Sequence, residues 1–294
     1  MIRTSKIALL LTVLFSVVVM NACKKDSEEN ERNQEAPIRP VTANSNAYVT
    51  SLFEYLPAPG QLINTTAGNM DAANSVLSKE GLVSLGAFGG RIILGFDHTV
   101  INQSDQNDLL ILGNASSSFA EPGVVYVMQD ENGNGQPDDT WYEIAGSETG
   151  NEGYNRAYSV TYTRPDQNGD VAWKDNAGYS GVVKSNSFHT QSYYPSWITE
   201  SSYTLSGALL PSSNIDETNS SLVTSKPFAY GYADNTPEGD ELDIDQAIDK
   251  DGQKVHLKGV DFIKIQTAIQ YNLGWLGELS TEVRGVADLS LYAK

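Results

Sequence analysis

The stretch Gly123-Val124-Val125-Tyr126-Val127-Met128, followed by DENGNGQPDDTW from Asp130 to Trp141 and then Tyr142-Glu143-Ile144, reads as strand, loop, strand. Its apolar runs are β-branched and aromatic, and the loop holds two Asn-Gly pairs, which supply the left-handed residues of a tight hairpin. Neither flank has the apolar spacing of a helix. Moving outward, Ala47–Thr50, Arg91–Phe96, Asp108–Gly113, Tyr158–Thr163, Tyr203–Leu205, Val260–Ile269 and Ala287–Tyr292 repeat the pattern between Gly, Pro, Asn and Asp. Helical periodicity is confined to Met70–Lys79. Many short strands bury themselves best in packed antiparallel sheets, so the expected fold is all-β, an antiparallel β-sandwich of jelly-roll type. The polar stretch Pro211–Ser221 reads as a long loop, leaving one domain over residues 46–294.

The loop itself has two readings. Asp130, Asn132, Asn134, Gly135 and Asp138 match the first half of a D-x-[DN]-x-[DN]-G calcium loop, in which alternate side chains converge their oxygens on one point. The closing Glu of an EF-hand is replaced by Trp141, so Asp139 or a distant carboxylate would complete the shell. Calcium bracing the loop is the expectation, with a plain hairpin turn as the alternative. A second acidic stretch, Asp240–Asp251, alternates with Leu242 and Ile244 and reads as a strand with an acidic outer face.

The N-terminus carries an address. Arg3 and Lys6 precede an apolar run, Ile7–Met20, that is shorter than the roughly 20 residues a spanning helix needs. It ends in Met20-Asn21-Ala22-Cys23, which resembles a bacterial lipoprotein box, Asn21 being unusual there. Residues 1–22 are therefore expected to be a signal peptide and Cys23 the lipidated first residue. The alternative is an ordinary cleaved signal with an incidental cysteine. Lys24-Lys25-Asp26-Ser27-Glu28-Glu29 resembles the acidic signal that exports such lipoproteins to the outer face of the outer membrane. Residues 23–45, with Pro37 and Pro40, read as a flexible stalk. A formal charge of -18 argues against nucleic acid and anionic lipid surfaces as partners.

Catalytic signatures are missing. The histidines His98, His189 and His256 are isolated, the only cysteine is Cys23, and neither a Gly-x-Ser-x-Gly elbow nor a phosphate-binding glycine loop occurs. A lone histidine in such a fold is usually hydrogen-bonded and structural. Aromatic residues in polar, loop-like sequence are more informative. Tyr193, Tyr194 and Trp197, with Trp275 further on, are candidate ligand-stacking side chains. The competing reading is that they close the ends of the sandwich.

Gly95–Val100, Leu112-Gly113-Asn114-Ala115, Glu121–Val127, Gly231–Asn235, Asp243–Asp249 and Val260–Thr267 together resemble the cell-surface lipoproteins of gut Bacteroidetes. The resemblance extends over nearly the whole chain beyond the stalk. A narrower resemblance is to the accessory binding lipoproteins of cobalamin-uptake loci. It implies capture of a corrinoid outside the cell and transfer to a TonB-dependent transporter, without catalysis. It carries no individual cobalamin contact onto a numbered residue. A glycan-binding surface lipoprotein and a carboxylate-dependent glycoside hydrolase are the alternatives.

Overall fold

A computed structural model of the chain describes residues 36–78, 81–219 and 221–292. It divides into two compact units, residues 1–37 with 131–133, and residues 38–130 with 134–294. Of the first, the described residues are 36–37 and 131–133, and Glu131, Asn132 and Gly133 are exposed. The expected signal peptide, Cys23 and most of the expected stalk lie outside the described residues. Among those described, no helix is long and apolar enough to cross a membrane.

The larger unit is all-β. Its six-stranded antiparallel sheet runs in the order Ser51–Leu56, Arg91–Ile101, Gly259–Thr267, Gly123–Met128, Tyr142–Ile144, Ala247–Ile248. Beside it stand a three-stranded sheet, Asp240–Leu242, Leu109–Leu112 and Gly285–Asp288, and a four-stranded sheet, Ser202–Leu209, Asn155–Thr163, Val171–Asp175 and Ser180–Val183. The strand reading of the opening stretch therefore holds, as does the helical one at Met70–Ser75. That helix starts where the Asn69 side chain accepts from the Ala72 amide at 2.8 Å. The Asp240–Asp251 stretch is not one continuous strand: Asp240–Leu242 and Ala247–Ile248 are strands of different sheets, with a 3-10 turn over Ile244–Gln246 between them.

Gly259–Thr267 sits third in the large sheet and is buried on both faces. A bulge between Val260 and Phe262 shifts its register, which brings Val260 onto the same face as Ile263 and Ile265. That face packs with Leu109 and Ile111 of the three-stranded sheet and Ala73 and Val76 near the helix. Burying an isoleucine such as Ile263 contributes about 1.5–3 kcal/mol. In the four-stranded sheet Tyr158, Val160 and Tyr162 alternate inward with the period of two that a strand imposes.

The folded unit begins earlier than residue 46. Arg39 donates from Nε and Nη2 to Oδ1 of the buried Asp261 at 3.0 and 2.9 Å, and the Thr99 amide donates to the Arg39 carbonyl at 2.9 Å. The stalk boundary is corrected accordingly. A buried carboxylate must be paired, and the arginine supplies the pair. His98 is structural, its ring nitrogens lying 2.7 Å from Asp97 and 2.9 Å from the buried Asp288.

Candidate functional site

Register across the large sheet builds one site. Ile93 stands opposite Lys264, Lys264 opposite Tyr126, Tyr126 opposite Glu143, and Glu143 opposite Ile248. Directly opposed residues share a face, so these side chains form a row across five strands. The four-stranded sheet comes over this row, and Tyr126 Oη accepts from the Ala208 amide at 2.8 Å. Between the two sheets lies a cavity of about 540 Å³ lined by Tyr126, Trp141, Glu143, Arg156, Gly207 and Lys264, among others.

Lys264 dominates its chemistry. The ammonium lies 4.2 Å from the centroid of the Tyr126 ring and 4.7 Å from that of Trp141. Burial, reinforced by the charge of Arg91, pushes its pKa down to about 8. Across the cavity Glu143 accepts from Tyr154 Oη at 2.7 and 2.8 Å, and Arg156 Nε stands 3.7 Å from the same carboxylate. Burial raises the Glu143 pKa while Tyr154 and Arg156 oppose the shift. Glu143 is thus engaged by Tyr154 and Arg156, and the pocket presents two aromatic rings, one amine and this carboxylate to its interior. Competitive acylation should show Lys264 titrating near pH 8, while an ordinary lysine titrates near ~10.4. A midpoint at the ordinary value would mean that the ammonium is not buried between the two sheets. Sequence reading passed over Lys264, Tyr126 and Trp141, because period-two alternation marks a face but not what covers it.

The aromatic residues singled out from sequence separate into two groups. Tyr193 and Tyr194 are each 1% exposed. Their assignment as ligand-stacking residues is corrected: they pack in the core of the four-stranded sheet with Phe88, Tyr162 and Leu205. Tyr194 Oη donates to the Glu200 carbonyl at 2.9 Å, so its polar end is satisfied within the fold. Trp197 is half-buried against Tyr55, with ring centroids 5.9 Å apart, and closes the seam between two core clusters. Tyr194→Ala should cost about 3–5 kcal/mol of stability, read by denaturant unfolding, as truncation of a buried aromatic does. A loss below ~1 kcal/mol would contradict its burial.

Trp275, by contrast, is 54% exposed. It sits at the tip of the chain segment Tyr271–Leu279, whose arms are joined by an Asn272–Glu278 bridge and a Leu279 amide bond to the Tyr271 carbonyl at 3.1 Å. Two bonds tie this segment to the neighbouring Ile215–Ser225 hairpin. Trp275 Nε1 donates to the Ser221 carbonyl at 2.7 Å, and Tyr271 Oη donates to Glu217. Beside the tip opens a shallow bowl of about 880 Å³ lined by Phe119, Leu222, Pro227 and Leu276, with Lys226 and three hydroxyl residues.

Two places could hold a cation. In the loop, Asp130 accepts from the amides of Asn134 at 3.1 Å and Gly135 at 2.9 Å, and Asn134 Nδ2 donates to Asp138 at 3.2 and 3.1 Å. Gly135 has φ +72°, the left-handed turn that its sequence position foretold. Asp139 is half-buried, and Asn132 falls in the other unit. The second place was not legible from sequence spacing. Glu121, Asp234 and Glu282 bring carboxylate oxygens within 4.8 Å of one another. Asp234 holds a left-handed φ of +54° and accepts from the amides of Asn114, Ala115 and Glu282 at 2.8, 2.9 and 2.9 Å. A side chain at Gly113 would collide with it, since a Cβ there would stand 2.3 Å from Asp234 Oδ1. Burial raises the pKa of all three, and the charge of Glu282 adds to the rise at Glu121 and at Asp234, which reaches about 8.

Searches of protein-family models and of characterised proteins returned no match to this chain. The class that fold and site define on their own is an all-β domain of antiparallel sheets with aromatic-lined concavities.

Proposed function

We propose that this chain is a ligand-capturing surface lipoprotein, a β-sandwich of jelly-roll type that binds and does not catalyse. Cys23 carries the lipid, and the residues behind it hold the domain on the outer face of the outer membrane. The cargo is a corrinoid, passed to a TonB-dependent transporter, and calcium braces the Asp130 loop. Corrinoid identity rests on the sequence resemblance. The observation that carries capture is the Trp275 bowl. An exposed indole, fixed by its bond to Ser221, flanks about 880 Å³ of largely apolar concavity. A large flat ligand gains stacking there at little entropic cost, because the ring is already held in place. The bowl also offers more volume to a large ligand than the 540 Å³ inter-sheet pocket does. Calorimetric titration of cyanocobalamin into the domain tests the reading. Saturable binding in the micromolar range or tighter supports it, and no heat at that concentration rejects it.

A further inference from the structure

The base of the Trp275-bearing segment faces a different cavity. Glu278 and Gln270 flank the segment at its two arms, and both line a pocket of about 170 Å³ that also meets Trp173, Val182 and Tyr271. Trp173 and Gln270 line a second, outer groove of about 470 Å³ as well, with Tyr158, Asp175 and Tyr179, so the two form one stepped cleft. One wall is the Val171–Asp175 and Ser180–Val183 strands, and the other is the chain from Leu209 to Ser213 and from Ile269 to Asn272.

Two buried polar atoms in this cleft have no protein partner, Glu278 Oε2 and Gln270 Oε1. Glu278 is 4% exposed, and its other oxygen accepts from the Gln61 amide at 2.7 Å. Such orphans are rare in folded proteins, and two of them lining one small cavity mark a place where something polar is received. The wall beside them is an indole, and Tyr179, 71% exposed, stands at the mouth. A ring with hydroxyls on its edge and C–H groups on its face satisfies both surfaces at once. It donates to the Gln270 carbonyl, exchanges a hydrogen bond with the Glu278 carboxyl, and stacks on Trp173. Burial holds the Glu278 carboxyl protonated up to about pH 8, which suits an uncharged guest.

We propose that the stepped cleft at Trp173, Gln270 and Glu278 is a binding site for a neutral pyranose, independent of the Trp275 bowl. The two sites are tested apart, because Trp275 is not among the residues lining the cleft and cyanocobalamin is not the probe here. The experiment is saturation-transfer NMR and titration of the intact domain with methyl α-D-glucopyranoside, methyl α-D-mannopyranoside and methyl β-D-galactopyranoside. At least one should bind with millimolar affinity, and Trp275→Ala should leave that binding unchanged. Gln270→Leu removes the orphan acceptor while keeping the side chain's size. It should raise the melting temperature and weaken the sugar about tenfold, the effect of one lost hydrogen bond to a ligand. Val182→Trp, at a 45% exposed position lining the inner pocket, should block binding without touching the core. If none of the three glycosides binds, or if binding survives both variants, the site assignment is overturned.

Discussion

Trp275→Ala should weaken cyanocobalamin binding on the order of 30-fold while leaving the melting temperature within about 1–2 °C of wild type. The size follows from the behaviour of anchoring tryptophans at interfaces, whose truncation costs about 2 kcal/mol or more. The indole is 54% exposed and makes one hydrogen bond, to the Ser221 carbonyl, which water can replace on truncation. Little folding free energy is therefore at stake. Tyr230→Ala is the control, because Tyr230 is 59% exposed and adjoins no residue that lines the bowl, whereas Trp275 precedes the lining residue Leu276 and bonds to Ser221 beside Leu222. If both variants bind like wild type, the bowl is not the capture surface. If Trp275→Ala loses binding together with a large drop in melting temperature, the indole is a structural plug after all.

How much of this was written in the sequence depends on the range of the interactions involved. The alternation in Val124–Met128 and the Asn-Gly turns after it are local, and they specify strands and hairpin directly. Missed strands include Val171–Asp175 and Ser180–Val183, whose apolar signals are weak and which are held by pairing with each other and with Asn155–Thr163, and Ser51–Leu56, which lies just beyond the strand expected at Ala47–Thr50. Tyr193 and Tyr194 misled because their neighbours Gln191, Ser192 and Ser196 are polar. Those neighbours turned out to serve the loop's own bonds: Gln191 donates to the Gln61 and Ile63 carbonyls, and the Ser196 amide donates to Asn64. The rings between them are thereby turned inward. Trp275 was legible as an exposed aromatic, since Asn272 and Gly274 beside it mark a turn. The acidic triad illustrates the opposite limit. Leu112–Ala115, Glu121–Val127 and Gly231–Asn235 were noticed as segments, but that they meet at Glu121 and Asp234 is a fact of topology. Lys264 likewise joins Tyr126 and Glu143 only through register.

In chelator, the melting temperature should be roughly 10 °C higher at pH 5 than at pH 8. The unfolded chain releases its carboxyl protons near pH 4, whereas Asp234 in the fold keeps its proton up to about 8. Below pH 4 both states are protonated and the contribution is constant. Between pH 4 and 8 the folded state holds a proton that the unfolded state has lost, so stability falls as pH rises through that window. One such group removes about 1.4 kcal/mol per pH unit, hence at most about 4 kcal/mol from pH 5 to 8, which corresponds to the stated shift for a chain of this size. Glu121, Glu282, Glu278 and Asp240 are raised by burial in the same direction. The half-buried carboxylates with lowered pKa, Asp216, Asp245 and Asp249, act below pH 4, and the lowered Lys264 acts above pH 8, so none of them opposes the trend inside it. Glu282→Gln relieves the crowding and should flatten the slope. Adding millimolar calcium at pH 8 then separates the two cation sites. If the ion sits among Glu121, Asp234 and Glu282, the wild type gains stability and Glu282→Gln does not. If it sits in the loop, Asp138→Asn loses the gain and Glu282→Gln keeps it. A wild type equally stable at pH 5 and pH 8 would mean that the three carboxyls are not buried together, and the triad would fall as a feature of the fold.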